Sequence, residues 1–365
     1  MKSMKKLVLV AFVLLASVMV LAGCKMEAGS EGAKVPKIYE FTNEPQILTN
    51  YESPNSTGDE YIYVAFGDWP QKIKASEVTV DESKSKQMGM FTAYLGSDGN
   101  YYVKEKENAS GSGDAYQYSD GTQAGQGGTS EKWFKVEPIV WRVLDKDYAS
   151  TGKALLLAEK ILISGIPYYS VDKVKRTIGG VEIFTNNYEH SQIRAFLNGL
   201  SYEYKESDSE DQSKKNEYEG KGFLQTAFTT SAQKLIAETT VDNSKESTFG
   251  RGETGGDNPY VCTNTSDKIF LLSEQEATTA GYDFDVYNVS DNTRIRVNTD
   301  YAKATGAYQS STDGYGGWWW LRSPYCNDED YALLIGTSGD ADGINLVNNN
   351  RGGVVPALSI SINGN

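Results

Sequence analysis

Histidine is nearly absent from this 365-residue chain: His190 stands alone against 49 acidic and 35 basic side chains. A multi-histidine metal centre is therefore excluded, and any Ser-His-Asp or Cys-His arrangement has only His190 to use. His190 follows Glu189 just ahead of a helical pattern and has no nucleophile at a recognisable elbow to activate. It reads as a surface or capping residue. Positive charge is also short, for the formal net charge is −14. Such a surface repels phosphate backbones, which excludes nucleic acid as a partner. Apolar area, by contrast, is plentiful. With 39% hydrophobic and 12% aromatic residues the chain supports a sizeable core, which rules out global disorder. The length suits one large domain or two modest ones.

Only three cysteines are present, and the first has a distinctive setting. Met1 to Lys6 carries three lysines, Leu7 to Leu21 is an uncharged apolar run with Ser17 as its one polar residue, and Leu21-Ala22-Gly23-Cys24 follows. Fifteen helical residues rise about 23 Å, short of the roughly 30 Å hydrocarbon core, so the run is an export signal rather than a membrane span. Its ending resembles the bacterial lipobox. That resemblance implies that residues 1–23 are removed and that Cys24 becomes a lipidated N-terminus, holding the protein to the outer side of a membrane through its acyl chains. Cys262 and Cys326 then lie in a compartment that permits oxidation. A disulfide between them and two buried thiols both remain open, because sequence does not place their Cα atoms.

Residues 24–60, polar and weakly periodic, read as a flexible tether, and residues 61–365 as a single globular extracytoplasmic domain. Two polar stretches, 108–130 and 204–220, read as solvated loops. Strand patterns dominate, at 139–144, 154–158, 269–272, 331–335 and 354–362. Asp-Gly pairs at 98–99, 120–121, 313–314 and 342–343 suit type I′ hairpin turns. Helices are few. Ile193, Phe196, Leu197 and Leu200 form one buried stripe with Ser191 as cap. Thr230 with Gln233 and Ser273 with Glu276 have capping-box spacing, and Thr299 to Thr305 reads as a short helix closed by Gly306. The fold class is α+β, with antiparallel sheets and a few short helices.

Six strings occur in order: Gly67-Asp68-Trp69-Pro70-Gln71, Val136 to Leu144, Ser191 to Asn198, Asp267 to Ser273, Trp319-Trp320-Leu321-Arg322-Ser323-Pro324, and Gly353-Val354-Val355-Pro356-Ala357-Leu358. Together they resemble an uncharacterised bacterial domain family of unknown function found in surface lipoproteins of treponeme-like spirochaetes and gut Firmicutes. The resemblance spans Tyr61 to Ile362 and implies no activity. At a second level, the Trp-rich strand, the polar stretch after it and the closing Gly-Val-x-Pro-Ala-Leu strand resemble the end of C-type-lectin-like and formylglycine-generating-enzyme-like domains. That likeness implies a display surface over Tyr325 to Arg351. The catalytic cysteine motif of that superfamily is missing.

The expected ligand surface comprises Tyr315, Trp318, Arg322, Asn327, Asp328, Asn345, Asn348 and Asn350. In Trp318-Trp319-Trp320 strand alternation puts Trp318 and Trp320 on one face, either as core or, for Trp318 beside Tyr315, as a stacking platform for sugars. Arg322 holds a ligand carboxylate or pairs with an acid inside the fold. Asp340-Ala341-Asp342-Gly343 departs from a calcium loop, since Ser338 stands at its first position and Asn349 at its twelfth, and a hairpin turn is the simpler reading. No catalytic set, metal or cofactor emerges. These features describe a membrane-anchored, non-enzymatic binding protein for a glycan or a host or cell-surface protein. A hydrolase using paired carboxylates and a structural envelope protein are the alternatives.

Overall fold

The strand Glu131–Asp145 is the spine of the molecule, because its alternation buries Phe134 and Val136 and then, after Pro138, Ile139 and Trp141. The computed structural model describes residues 36–55, 61–171, 174–204, 214–215, 218–248, 258–311 and 316–361. In chain order the first strands are β1 (Gln46–Leu48), β2 (Tyr63–Ile73), β3 (Val80–Met88), β4 (Phe91–Gly96), β5 (Tyr101–Lys106), β6 (Glu131–Asp145) and β7 (Lys153–Ala158). β2 runs along one edge of β6, while β5 and β7 share the other edge at its two ends. β3 and β4 extend the β5 side as a meander, and every pairing is antiparallel. Prolines lack the donor that a central strand needs, so Pro70 and Pro138 both sit where the β2–β6 register shifts. Gly67, in the first of these irregularities, has φ +73° and backs onto the Phe228 ring at a distance that leaves no room for a Cβ.

Beyond β7 come small antiparallel strand pairs: β8 (Arg176–Ile178) with β9 (Val181–Ile183), β10 (Glu203–Tyr204) with β11 (Lys214–Lys215), and β12 (Thr239–Val241) with β13 (Thr265–Asp267). β14 (Ile269–Phe270) rejoins the large sheet. The meander β15 (Trp319–Pro324), β16 (Tyr331–Ile335) and β17 (Gly343–Leu346) makes a separate three-stranded sheet, and β18 (Ala357–Ser361) returns to pair with β7 and β14. Among the described residues six short α-helices lie between them: α1 (Gln192–Asn198), α2 (Phe223–Ala227), α3 (Thr230–Gln233), α4 (Lys245–Thr248), α5 (Glu274–Ala277) and α6 (Asp300–Ala304). This is an α+β fold with antiparallel sheets. Ser191 caps α1, Ser273 and Glu276 form a reciprocal capping box on α5, and α6 ends at Gly306 with φ +109°. On α3 the cap is Thr229 rather than Thr230.

The core is aromatic. Trp69, Trp141, Trp319 and Trp320 are fully buried, and three of them find an acceptor for the indole N–H: Trp69 on Leu162 O (3.1 Å), Trp141 on Phe66 O (2.7 Å) and Trp319 on Arg294 O (3.2 Å). Buried arginines brace loops through carbonyls. Arg294 donates to the backbone oxygens of Ala277, Asp285, Val286, Val289 and Gly339, tying the chain after α5 to the turn after β16.

Three expectations change. The tether does not extend to residue 60, because the compact unit starts at Pro36. Thr42 N donates to Asp68 Oδ2 (2.7 Å), β1 pairs with β2, and Phe41 completes a second small core with Met88, Ala93, Val103 and Val136. The stretch 108–130 is not simply solvated. Tyr116, Tyr118 and Ala124 enter the main core, and the buried Glu107 carboxylate accepts from Tyr118 Oη, Ser130 Oγ and Gly125 N (2.6–2.9 Å). Most of 204–220 lies outside the described residues, as does the Asp313-Gly314 pair. At 98–99 only Gly99 has positive φ, so that hairpin is not type I′, and Gly343 opens β17 instead of turning the chain. Gly179 and Gly180, both at positive φ, make the two-residue β8–β9 turn that type I′ geometry describes.

Candidate functional site

Helix α1 buries Ile193, Phe196 and Leu197 and ends on Gly199 in the left-handed conformation. Leu200, the last member of the apolar stripe, therefore falls beyond the helix. It is 36% exposed at the rim of a groove of about 360 Å3. Glu189, His190, Ser191, Arg194 and Ala195 form one wall of this groove, Arg176 and Ile178 of β8 the second, and Ser201, Tyr202 and Glu203 the third. Its volume falls in the roughly 300–1,000 Å3 range of small-molecule sites.

Two arginines line the groove and differ in how their charge is met. Arg194 forks onto Asp267, with Nε at 2.9 and 3.0 Å and Nη2 at 2.8 Å from the carboxylate oxygens. Burial opposes that charge, but the Asp267 bonds and field overrule it and raise the Arg194 pKa above its ordinary value. Arg176 is 4% exposed and stacks on Tyr169 at 4.3 Å, with Tyr202 at 5.7 Å. Its Nη1 donates to His190 O (2.8 Å) and Glu203 O (2.9 Å), while Nε and Nη2 meet no acceptor among the described residues. Burial lowers its pKa. A buried cation braced only by carbonyls is the unusual group here.

His190 stands between them. Its Nε2 lies 4.0 Å from Glu189, and burial, with Arg176 and Arg194 acting in the same sense against Glu189, lowers its pKa below 6.5. Ser191 is spent on structure: its hydroxyl donates to Tyr188 O and accepts from Arg194 N. The groove's chemistry is thus recognition by charge, hydrogen bonds and apolar contact at Ile178, Ala195 and Leu200.

The expected C-terminal surface is dispersed. Arg322 is fully buried and ion-paired with Glu276, with further bonds to Leu271 O (2.7 Å), Asp242 O (2.9 Å) and Ser247 Oγ (3.2 Å), so it is the structural pair and not a ligand clamp. Trp318 is 8% exposed and packs edge-on against Trp320, so it offers no stacking platform. Both faces of its strand are core. Tyr315 and Cys24 lie outside the described residues. Asn327 and Asp328 form the β15–β16 turn, which Asn186 clamps by donating to Tyr325 O, Asp328 O and Tyr331 O. Asn345 stands near that turn on β17, but its Oδ1 accepts from Leu346 N and Asn349 Nδ2, and Asn348 follows in the same loop. Asn350 lies toward the opposite end of β15, its carbonyl bound by Gly165 N and Ser164 Oγ and the next residues reaching Trp318. Asp340 is engaged by Ser338 in the turn after β16, and no group of three metal-ligating side chains occurs among the described residues. Cys262 and Cys326 are both thiols and do not pair. Burial pushes the Cys262 thiol up to about 11.

Arg176, Arg194, Tyr202 and Glu203 were not signalled as a site by sequence. One hint exists in retrospect: Lys173-Val174-Lys175-Arg176 is a basic run in an acidic chain, two residues before Gly179-Gly180. Lys175 continues this edge to the Asn327–Asp330 turn through an ion pair with Glu329 (3.1 Å).

A family described as Domain of unknown function (DUF6273) matches residues 151–362. The matched span holds the groove, the three-stranded sheet and β18, while β1 to β6 precede it. No curated protein and no solved structure matches the chain.

Proposed function

We propose, on the premise that the chain belongs to the DUF6273 family of unknown function, that it is a lipid-anchored extracytoplasmic binding protein whose ligand seat is the α1 groove. The export signal and the Leu-Ala-Gly-Cys24 sequence support the anchor and its location. The observation that carries the binding reading is Arg176: a buried guanidinium whose Nε and Nη2 meet no acceptor among the described residues, beside a concave surface, leaves polar demand that a ligand satisfies. The Asn327–Asp328 turn, fixed by Asn186, adds an ordered polar edge that suits a glycan or a cell-surface protein as the larger bearer of the ligand.

The test has two readouts. Replacing Cys24 with Ser should move the protein from the membrane to the soluble extracytoplasmic fraction. The full chain in detergent, titrated against glycans, extracellular matrix proteins and small polar metabolites, should yield a ligand whose binding is lost when Leu200→Trp fills the groove. Binding that survives Leu200→Trp would reject the groove.

A further inference from the structure

We infer that the outer face of β4, β5 and β6 carries a second binding site, which takes a neutral oligosaccharide. A groove of about 370 Å3 opens there, lined by Lys72, Glu77, Ser97, Asp98, Lys135 and Glu137, with Val78 as an apolar contact. It lies ahead of the family-matched span and shares no residue with the α1 groove, so it stands independently of that reading.

Strand register builds the site. Lys72 of β2 stands directly across from Lys135 of β6, Lys135 from Tyr102 of β5, and Tyr102 from Tyr94 of β4, which puts all four on one face of the sheet. Trp133, two residues from Lys135 on the same strand, shares that face and meets the Tyr94 ring edge-on at 5.5 Å between centroids. Both rings are partly exposed. A polar groove thus continues into an aromatic pair.

The charges at the groove mouth select the ligand. Lys135 pairs with Glu137 at 3.5 Å, with the two side chains 32% and 30% exposed. The Asp98 carboxylate accepts from Asn100 and Tyr102. Exposed Lys72 has no hydrogen bond or ion pair among the described residues, and exposed Glu77 accepts from Ser76 at 3.4 Å. Three carboxylates against two ammoniums oppose an anion, while the facing lysines oppose a cation. A hydroxyl both donates and accepts, so a sugar serves Lys72 and Glu77 together, and its C–H faces rest on the aromatic rings. A peptide added as a further strand is excluded, because β4, β5 and β6 are each hydrogen-bonded on both sides.

Calorimetric titration of the full chain at pH 7, in a detergent without a sugar headgroup, compares cellotetraose, chitotetraose and maltotetraose with the anionic tetragalacturonate. At least one neutral tetrasaccharide should bind, and tetragalacturonate at least tenfold more weakly. Lys72→Met, a change at an exposed side chain, should weaken the neutral ligand at least tenfold without lowering the unfolding midpoint. Trp133→Ala should abolish binding, and Lys72→Met carries the test where Trp133→Ala does not fold. Leu200→Trp should leave this binding unchanged, which separates the site from the α1 groove. Tighter binding of tetragalacturonate would overturn the neutral ligand. Binding that survives either folded variant, or that Leu200→Trp removes, would overturn the site, and no binding of any neutral probe would overturn both.

Discussion

Arg322 and Arg176 are both buried, and their partners assign them opposite roles. Arg322 faces a carboxylate, two carbonyls and a hydroxyl, and its pKa is raised because the Glu276 bond and field outweigh the cost of burial. Arg176 faces carbonyls and tyrosine rings, and burial lowers its pKa. Removing one partner of a buried ion pair leaves the other charge stranded. Arg322→Met should therefore cost about 3–5 kcal/mol in urea unfolding, with Glu276, which also accepts from Tyr148, left uncompensated. A cost under about 1 kcal/mol, the value typical of an exposed pair, would contradict an interior role.

Among the elements, the 108–130 segment shows how one acid orders a glycine-rich stretch. Glycines at 113, 121, 127 and 128 adopt positive φ, and the segment between Glu107 and Ser130 is pinned where Tyr118, Gly125 and Ser130 converge on the Glu107 carboxylate. Burial pushes that carboxyl up, but the bonds from Ser130, Gly125 and Tyr118 prevail and hold it below 4.5. A lowered folded-state pKa means that the stabilisation is present above 4.5 and is lost as pH falls through the lower folded value. Glu107→Ala should lower stability by about 1–3 kcal/mol at pH 7, with faster amide exchange over 108–130. The gap from the parent protein should narrow as pH drops below 4.5. A gap that is constant with pH, or unchanged exchange in 108–130, would mean that Glu107 does not hold the segment.

For the whole molecule, the folded unit includes the segment Pro36–Asn55 that composition assigns to the tether. Its contacts are specific: Phe41 in the second core, Asn55 Nδ2 on Glu159 O (2.6 Å), and Asn55 Oδ1 accepting from Val297 N (3.0 Å). Starting the chain at Tyr61 uncovers Val103 and Val136 and strips Asp68 of its Thr42 and Tyr39 donors. Loss of Phe41 burial alone should cost about 2–3 kcal/mol. Thermal unfolding of chains starting at Lys25, Pro36 and Tyr61 should show equal midpoints for the first two and a clear fall for the third. Equal midpoints for all three would restore residues 36–60 to the tether.

Where local chemistry decides, the sequence alone was sufficient. Apolar strand runs marked β6, β7 and β16, Ser273 with Glu276 marked the cap of α5, and the prevalence of strand signals over helical ones marked the α+β class. Each depends on residues a few positions apart. The tether's end was not legible, because the buried partners of Phe41, from Met88 to Val136, lie 47 to 95 residues away. Likewise Arg322 and Arg176 cannot be told apart from their neighbours in sequence. Glu276 lies 46 positions from the first, and the second is shaped by His190 and Glu203, 14 and 27 positions away. Charge compensation is a property of distance in space, and only the tertiary structure decides which buried cation is already paired and which still lacks an anion.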